Sequence, residues 1–187
     1  MDHKEKWNSK YQERLSDLKK PNPNSRLINL SYYLKGGLAL DLACGLGGNS
    51  MFLAEHHYDV HALDISDIAI NYLNEQAAKE KLSIHTMQCD LTNLDSLNLI
   101  KEIYDLAVIT YYLDRSIFPY VKTLIKKNGY VFMETFYLSM EDQNGQISSQ
   151  YKLQPQELLR EFTDWRILYY EENEQEGRQT IFCQKPL

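Results

Sequence analysis

Cysteine is scarce in this chain and never paired locally. Cys44, Cys89 and Cys183 are the only three in 187 residues. None forms a CxxC, and no His/Cys spacing suggests zinc, so no metal is expected. Long apolar runs are also missing. No stretch approaches the length of a membrane span, and the N-terminus lacks the charged-then-apolar pattern of a secretory signal. With the odd cysteine count, a reducing cytoplasm is the expected compartment. An excess of positive charge is absent too: the formal net charge is −6. The densest basic group runs from Lys4 to Lys20 and is diluted by Asp2, Glu5, Glu13 and Asp17. That composition reads as a solvated helix face, so nucleic acid is not an expected partner. No internal repeat, low-complexity tract or second-domain boundary is visible.

What remains is an ordinary globular composition. Apolar residues make up 43% and charged residues 25%, which excludes disorder of the whole. The length suits one domain, with residues 1–37 as a helical N-terminal cap and 38–187 as an α/β core. Trp7, Tyr11, Leu15 and Leu18 fall on one face of a first helix. Pro21-Asn22-Pro23-Asn24-Ser25 breaks it, and a second short helix is predicted over 25–34.

Strand and helix signals then alternate. Strands are predicted at 38–42, 60–64, 84–89, 106–109 and 130–133. Helices are predicted at 49–57, 66–81, 92–101 and 116–127, the last closed by Asn128-Gly129. Toward the end, 137–153 has no strong period and carries Asp142-Gln143-Asn144-Gly145-Gln146. Pro155 suits the first position of a helix to Phe162. Two strand-like runs, 165–170 and 180–184, flank an acidic, glycine-containing stretch and predict a hairpin. The fold class is therefore α/β: a doubly wound, mostly parallel sheet with a C-terminal antiparallel hairpin.

Ligands of such sheets bind beyond the carboxyl ends of the strands. Asp41, Asp64 and Asp90 all fall there, each one strand–helix–strand step from the next. After Asp41 comes Gly45-Leu46-Gly47-Gly48, where the main chain turns sharply and a helix N-terminus follows. Asp64 is placed to accept ribose hydroxyls and Asp90 an exocyclic amine, so an adenosine-containing cofactor is expected. The dinucleotide fingerprint needs a third glycine, and Ser50 stands in its place.

Leu40-Asp41-Leu42-Ala43-Cys44-Gly45-Leu46-Gly47-Gly48-Asn49 resembles the first motif of the Rossmann-like, class I S-adenosylmethionine-dependent methyltransferases. Val60 to Ser66 resembles their ribose motif, Cys89-Asp90-Leu91 their adenine motif, and Tyr104 to Ile109 their fourth strand. Asn128-Gly129 replaces a frequent Pro-Gly before the fifth strand, and the closing hairpin fits as well. Trp7-Asn8-Ser9-Lys10-Tyr11, Leu113 to Pro119 and Glu134-Thr135-Phe136 are similar to the small-molecule and tellurite-resistance group. The likeness covers about residues 38–184.

The resemblance implies S-adenosyl-L-methionine as cofactor and in-line methyl transfer to a small molecule such as an oxyanion or thiol. The residues it places at the cofactor are Asp41, Ala43, Cys44, Gly45, Gly47, Asn49, Asp64, Ile65, Asp90, Leu91 and Thr110. The acceptor candidates are Trp7, Tyr11, Tyr111, Tyr112 and Arg115. Each has a plainer reading. Asp41 and Asp90 serve as caps, Cys44 fills the loop, and Trp7 and Tyr11 simply bury a helix. Arg115 either binds an anionic acceptor or pairs with Asp114 or Glu134. His56 and His57 compensate a helix dipole, and His61 and His85 are structural. No catalytic base is assigned. The competing functions are an RNA or protein methyltransferase, an NAD-binding oxidoreductase and a non-catalytic cofactor-binding module. A monomer or homodimer is expected, with Tyr169 and Tyr170 as interface candidates.

Overall fold

The computed structural model describes residues 2–17, 20–139 and 147–187, with only the backbone of Asp95. Leu18 and the Asp142–Gln146 segment lie outside the described residues. The chain divides into two compact units, Met1–Asn98 and Leu99–Leu187.

In the first unit, α1 (His3–Ser16) and α2 (Ser25–Asn29) precede β1 (Gly37–Leu42), α3 (Gly48–Glu55), β2 (Tyr58–Asp64), α4 (Asp67–Glu80) and β3 (Ile84–Gln88). The three strands lie in the order β3-β2-β1, and both pairings are parallel. Parallel strands need a crossover, which α3 and α4 supply. The apolar run of β1 is buried from Ala39 to Leu42, as expected for a strand covered on both faces. Ser66 caps α4 as predicted, its hydroxyl accepting the Ala69 amide at 3.2 Å. Ala69, Ile70, Leu73 and Ala77 face inward, while Ile68 is half-buried. The predicted 25–34 helix is shorter, with a 3₁₀ turn at Ser31–Tyr33.

The helix predicted over 92–101 is not formed. A single 3₁₀ turn, Leu94–Leu97, stands there, and Asn98 is left-handed at φ 48°. The Asp90 carboxylate accepts both the amide and the hydroxyl of Thr92, at 2.9 and 2.8 Å. Such local side-chain bonds compete with helical ones.

The second unit contains β4 (Tyr104–Thr110), α5 (Ile117–Leu124), β5 (Ile125–Phe136), α6 (Glu157–Glu161), β6 (Arg166–Asn173) and β7 (Arg178–Gln184). Its strand order is β4-β5-β7-β6. β4 and β5 are parallel, and the predicted hairpin of β6 and β7 is antiparallel. Its strands run longer than expected, so the turn shrinks to 174–177.

Two predicted boundaries move. α5 ends at Leu124 rather than Lys127, and Asn128-Gly129 lies within β5, not at a helix end. Ile125 is already extended and pairs with Tyr104. The Asn128 amide donates to Lys185 O at 3.1 Å, and Gly129 O accepts the Lys185 amide at 2.9 Å. Cross-strand bonds from distant sequence therefore outweigh one more helical turn. Pro155 likewise precedes its helix instead of opening it. Gln156 is left-handed at φ 59° and α6 begins at Glu157, whose carboxylate reaches back to accept the Gln154 amide at 2.7 Å.

Candidate functional site

β1 delivers Asp41 into the interior, where its side chain is fully buried. Its Oδ2 accepts the Ser50 hydroxyl from α3 at 2.5 Å. Ser50 is the residue that breaks the dinucleotide pattern. Oδ1 has no hydrogen-bond partner among the described residues. Burial pushes this carboxyl up to about 7, against the Ser50 hydrogen bond that lowers it, and neighbouring Asp64 raises it further.

Asp64 ends β2 and is 3% exposed. Its Oδ2 accepts the Gly45 amide at 2.8 Å and its Oδ1 the Ser66 amide at 2.9 Å. Burial raises this carboxyl; the Ser66, Gly45 and Ile65 amides and the Tyr11 hydroxyl pull it back down. The carboxylate thus fastens the turn after β1 to the end of β2.

Between these carboxyls the chain passes through positive φ at Ala43 (57°), Gly45 (55°) and Gly47 (83°). A Cβ on Gly47 would come within 2.3 Å of Leu73 Cδ1. A side chain there is excluded twice, by conformation and by packing. Cys44 is half-buried. Burial and then the nearby Asp41 and Asp64 carboxyls push its thiol well up, away from the thiolate form. Ile65 is half-buried, and its carbonyl accepts the Gln88 side chain at 3.2 Å.

α1 closes over this turn. Trp7 and Tyr11 stack with centroids 5.7 Å apart. Tyr11 is 6% exposed and packs with Leu46 and Ala69, with Leu15, Ile68 and Tyr72 around them. These aromatics bury the helix, and the same face brings the Tyr11 hydroxyl to Asp64. Asn8, not singled out from sequence, fixes the dock. Its Oδ1 accepts the Ser66 hydroxyl and its Nδ2 donates to Asp67, both at 2.6 Å. The signal was present in the Trp-Asn-x-x-Tyr run, where the polar neighbour of an aromatic meets a helix cap. Asn49 holds the proline-containing loop by accepting the Asn24 amide at 2.8 Å. Asp90 follows β3, is exposed, and makes the Thr92 turn described above. Leu91 beside it is buried.

The other candidates lie in the second unit. Thr110 ends β4 and Tyr111 follows, left-handed at φ 57° and 46% exposed. Its hydroxyl donates to Glu134 Oε1 at 2.9 Å. Tyr112 is half-buried. Arg115 does not join this group and does not pair with Asp114 or Glu134. It forks onto Glu157 at 2.7 and 2.9 Å and donates to Lys152 O. The sequence marks Glu134 as part of the Glu134-Thr135-Phe136 resemblance and as a partner for Arg115, but gives no sign of Arg178 or Thr180 as its partners. The available signal was a charged residue inside the apolar run of β5.

Among the described residues, no group of three or more His, Cys, Asp or Glu is arranged to hold a metal, and no helix is long and apolar enough to cross a membrane.

Comparison with known proteins agrees with this architecture. The family described as "Tellurite resistance protein TehB" matches residues 9–181. A probable S-adenosyl-L-methionine-dependent methyltransferase TehB of Haemophilus influenzae is 32% identical over 72% of this chain and 48% of its own length. The chain therefore spans about half the length of that curated relative. The crystal structure of TehB from Haemophilus influenzae superposes with a TM-score of 0.74 at 26% identity, covering 87% of this chain and 62% of that one. A methyltransferase structure from Aquifex aeolicus shares the fold, with a TM-score of 0.68 at 14% identity over 92% of this chain and 97% of that one. The fold is that of the Rossmann-like methyltransferases, and the chain belongs to the TehB family within that class.

Proposed function

We infer that this chain is an S-adenosylmethionine-dependent methyltransferase acting on a small molecule. The observation that carries this reading is the buried Asp41 carboxyl with one unpartnered oxygen, beside a positive-φ turn that Asp64 fastens. A ligand bearing an ammonium supplies the donor that Asp41 Oδ1 lacks. The amino-acid end of S-adenosylmethionine has that group, whereas NAD has none.

Asp41 and the main chain of Ala43, Cys44, Gly45 and Gly47 would hold the amino-acid end. Asp64 and Ile65 would hold the ribose, each Asp64 oxygen keeping lone-pair capacity beyond its backbone bond. Asp90 and Leu91 would border the adenine. The cofactor supplies an activated methyl group on a sulfonium. The protein's contribution is alignment and exclusion of water, to which the Trp7–Tyr11 stack contributes. A small acceptor accords with the relatives: one family is described by tellurite resistance, and a structural neighbour is a geranyl diphosphate C-methyltransferase.

Calorimetric titration with S-adenosylmethionine, S-adenosylhomocysteine and NAD tests this reading. The first two should bind the wild type saturably and lose at least about tenfold in affinity in Asp41→Asn, consistent with loss of one charge-assisted bond. Preference for NAD, or no binding of either methionine derivative, would overturn it.

A further inference from the structure

The Asp64 carboxylate, to which the cofactor reading gives the ribose, already has a full set of donors. Its Oδ2 accepts the Gly45 amide at 2.8 Å and its Oδ1 the Ser66 amide at 2.9 Å. The lone-pair capacity beyond these two bonds is met by the Ile65 amide and the Tyr11 hydroxyl. A carboxylate has about four lone-pair sites, so these four donors leave no place for another. Three of them are main-chain amides, fixed within the turns that follow β1 and β2. Tyr11 is the one side chain among them, and it comes from α1. Burial and then the Asp64 carboxylate raise its phenol, so the hydroxyl keeps its proton and acts toward Asp64 only as a donor.

The helix that carries Tyr11 is lightly held. Tyr11 is the one residue of α1 that is buried, in a small cluster with Leu46 and Ala69. Its polar ties are Asn8, bonded to Ser66 and Asp67 at 2.6 Å, and a largely exposed Lys4–Asp67 pair at 3.3 Å. An element with so little buried surface opens at low cost in free energy. The chain that follows it is held more firmly. A Cβ on Gly48 would come within 2.4 Å of the Asn22 carbonyl oxygen, and the Asn24 amide donates to Asn49 at 2.8 Å. The loop after α1 is thus anchored on the start of α3, and α1 lifts without drawing that anchor away. The Tyr11 hydroxyl also lies over Gly45, where an added Cβ would be 3.0 Å from it. It therefore stands against two residues that the methyltransferase reading gives to the cofactor.

We propose that Tyr11 is a latch on the cofactor site: its hydroxyl and a ribose hydroxyl compete for the same place on Asp64, and S-adenosylmethionine enters by exchanging with it as α1 lifts. This rests on the methyltransferase reading above. The exchange trades one hydroxyl-to-carboxylate hydrogen bond for another. The carboxylate is never left short of a donor, and the turns keep their three amide bonds. The free energy that docks α1 through Tyr11 is subtracted from the affinity for the cofactor, and by reciprocity the cofactor weakens the hold of Tyr11 on Asp64. The Trp7–Tyr11 rings stack on each other and need no bond to Asp64 to cover the ligand once the hydroxyl has given way.

The test is calorimetric titration of the full chain with S-adenosylhomocysteine, in the wild type and two variants. Tyr11→Phe keeps the ring and removes the competing hydroxyl. Asn8→Ala loosens α1 without touching Asp64. Tyr11→Phe should bind about tenfold more tightly than the wild type. Asn8→Ala should bind about fivefold more tightly, with faster association in stopped-flow mixing. The double variant should gain less than the product of the two, because both release the same latch. Equal or weaker binding by Tyr11→Phe would overturn the exchange and make the hydroxyl a brace or a direct cofactor contact. Equal or weaker binding by Asn8→Ala would overturn the latch as well, since the dock of α1 would then not oppose the cofactor. A wild type that binds neither S-adenosylmethionine nor S-adenosylhomocysteine would instead sink the methyltransferase reading, so the two failures are distinguishable.

Discussion

The Tyr11 hydroxyl is hydrogen-bonded to the Asp64 carboxylate, and a Cβ added to Gly45 would lie 3.0 Å from that same hydroxyl. A residue of α1 therefore occupies the space that glycine leaves open at the turn after β1. Tyr11→Phe removes one hydrogen bond to a charged group and keeps the stacked ring. It should destabilise by about 1–2 kcal/mol, whereas Tyr11→Ala should cost about 3 kcal/mol or more through lost packing. Urea unfolding of the two variants measures both.

Asp41 gives stability a definite pH dependence. Its carboxyl is raised to about 7, above the ordinary value near 4 of an unfolded chain. Between those values the folded state binds more protons than the unfolded one, so stability falls as pH rises from about 4 to about 7. The raised Asp64 carboxyl acts in the same direction. Denaturant midpoints should fall across this window in the wild type, and the slope should be shallower in Asp41→Asn.

Ligand binding should report the same group. An ammonium beside Asp41 favours its ionised form, so binding near pH 6.5 should release protons. Titrations of S-adenosylhomocysteine in phosphate and in Tris should then give different apparent enthalpies. Equal enthalpies in the two buffers would mean that Asp41 does not change protonation on binding.

Gly47→Ala should be among the most damaging small changes in the first unit. It places a Cβ at φ 83° and 2.3 Å from Leu73 Cδ1. Left-handed strain and overpacking together should cost about 2–5 kcal/mol. A thermal melt reads this directly, and Gly47→Ala with Leu73→Ala should recover part of the loss.

Arg115 is an anchor for α6. Burial raises the Glu157 carboxyl, but the Arg115 hydrogen bonds and the Gln154 amide more than offset this and hold it low. That contribution is present above the ordinary glutamate range and is lost as pH falls below it, through the lowered folded value. Arg115 is half exposed, so the pair is discounted for solvent screening. Arg115→Ala should cost about 1–2 kcal/mol at pH 7, and less at pH 4, in denaturant titrations.

The sequence by itself determined the elements whose signals are local. The apolar runs ending at Asp41 and Asp64 fixed β1 and β2, because a buried parallel strand reads as continuous hydrophobicity. Ser66 marked the start of α4, and Gly45 to Gly48 marked the turn after β1. Tertiary structure decided what depends on partners far away in the chain. Residues 125–129 became strand because Tyr104 pairs with Ile125 and Lys185 bonds Asn128 and Gly129. Arg115 turned to Glu157 because α6 brought that carboxylate within reach. Ser50 could be read as a missing glycine, but only the fold placed its hydroxyl on Asp41. Glu134 could be read as a charge in an apolar strand, but only the pairing of β5 with β7 set Thr180 opposite it. Hydrophobic period and turn chemistry act over a few residues and are written in the chain. The hydrogen-bond partner of a buried polar group depends on which distant segment packs against it.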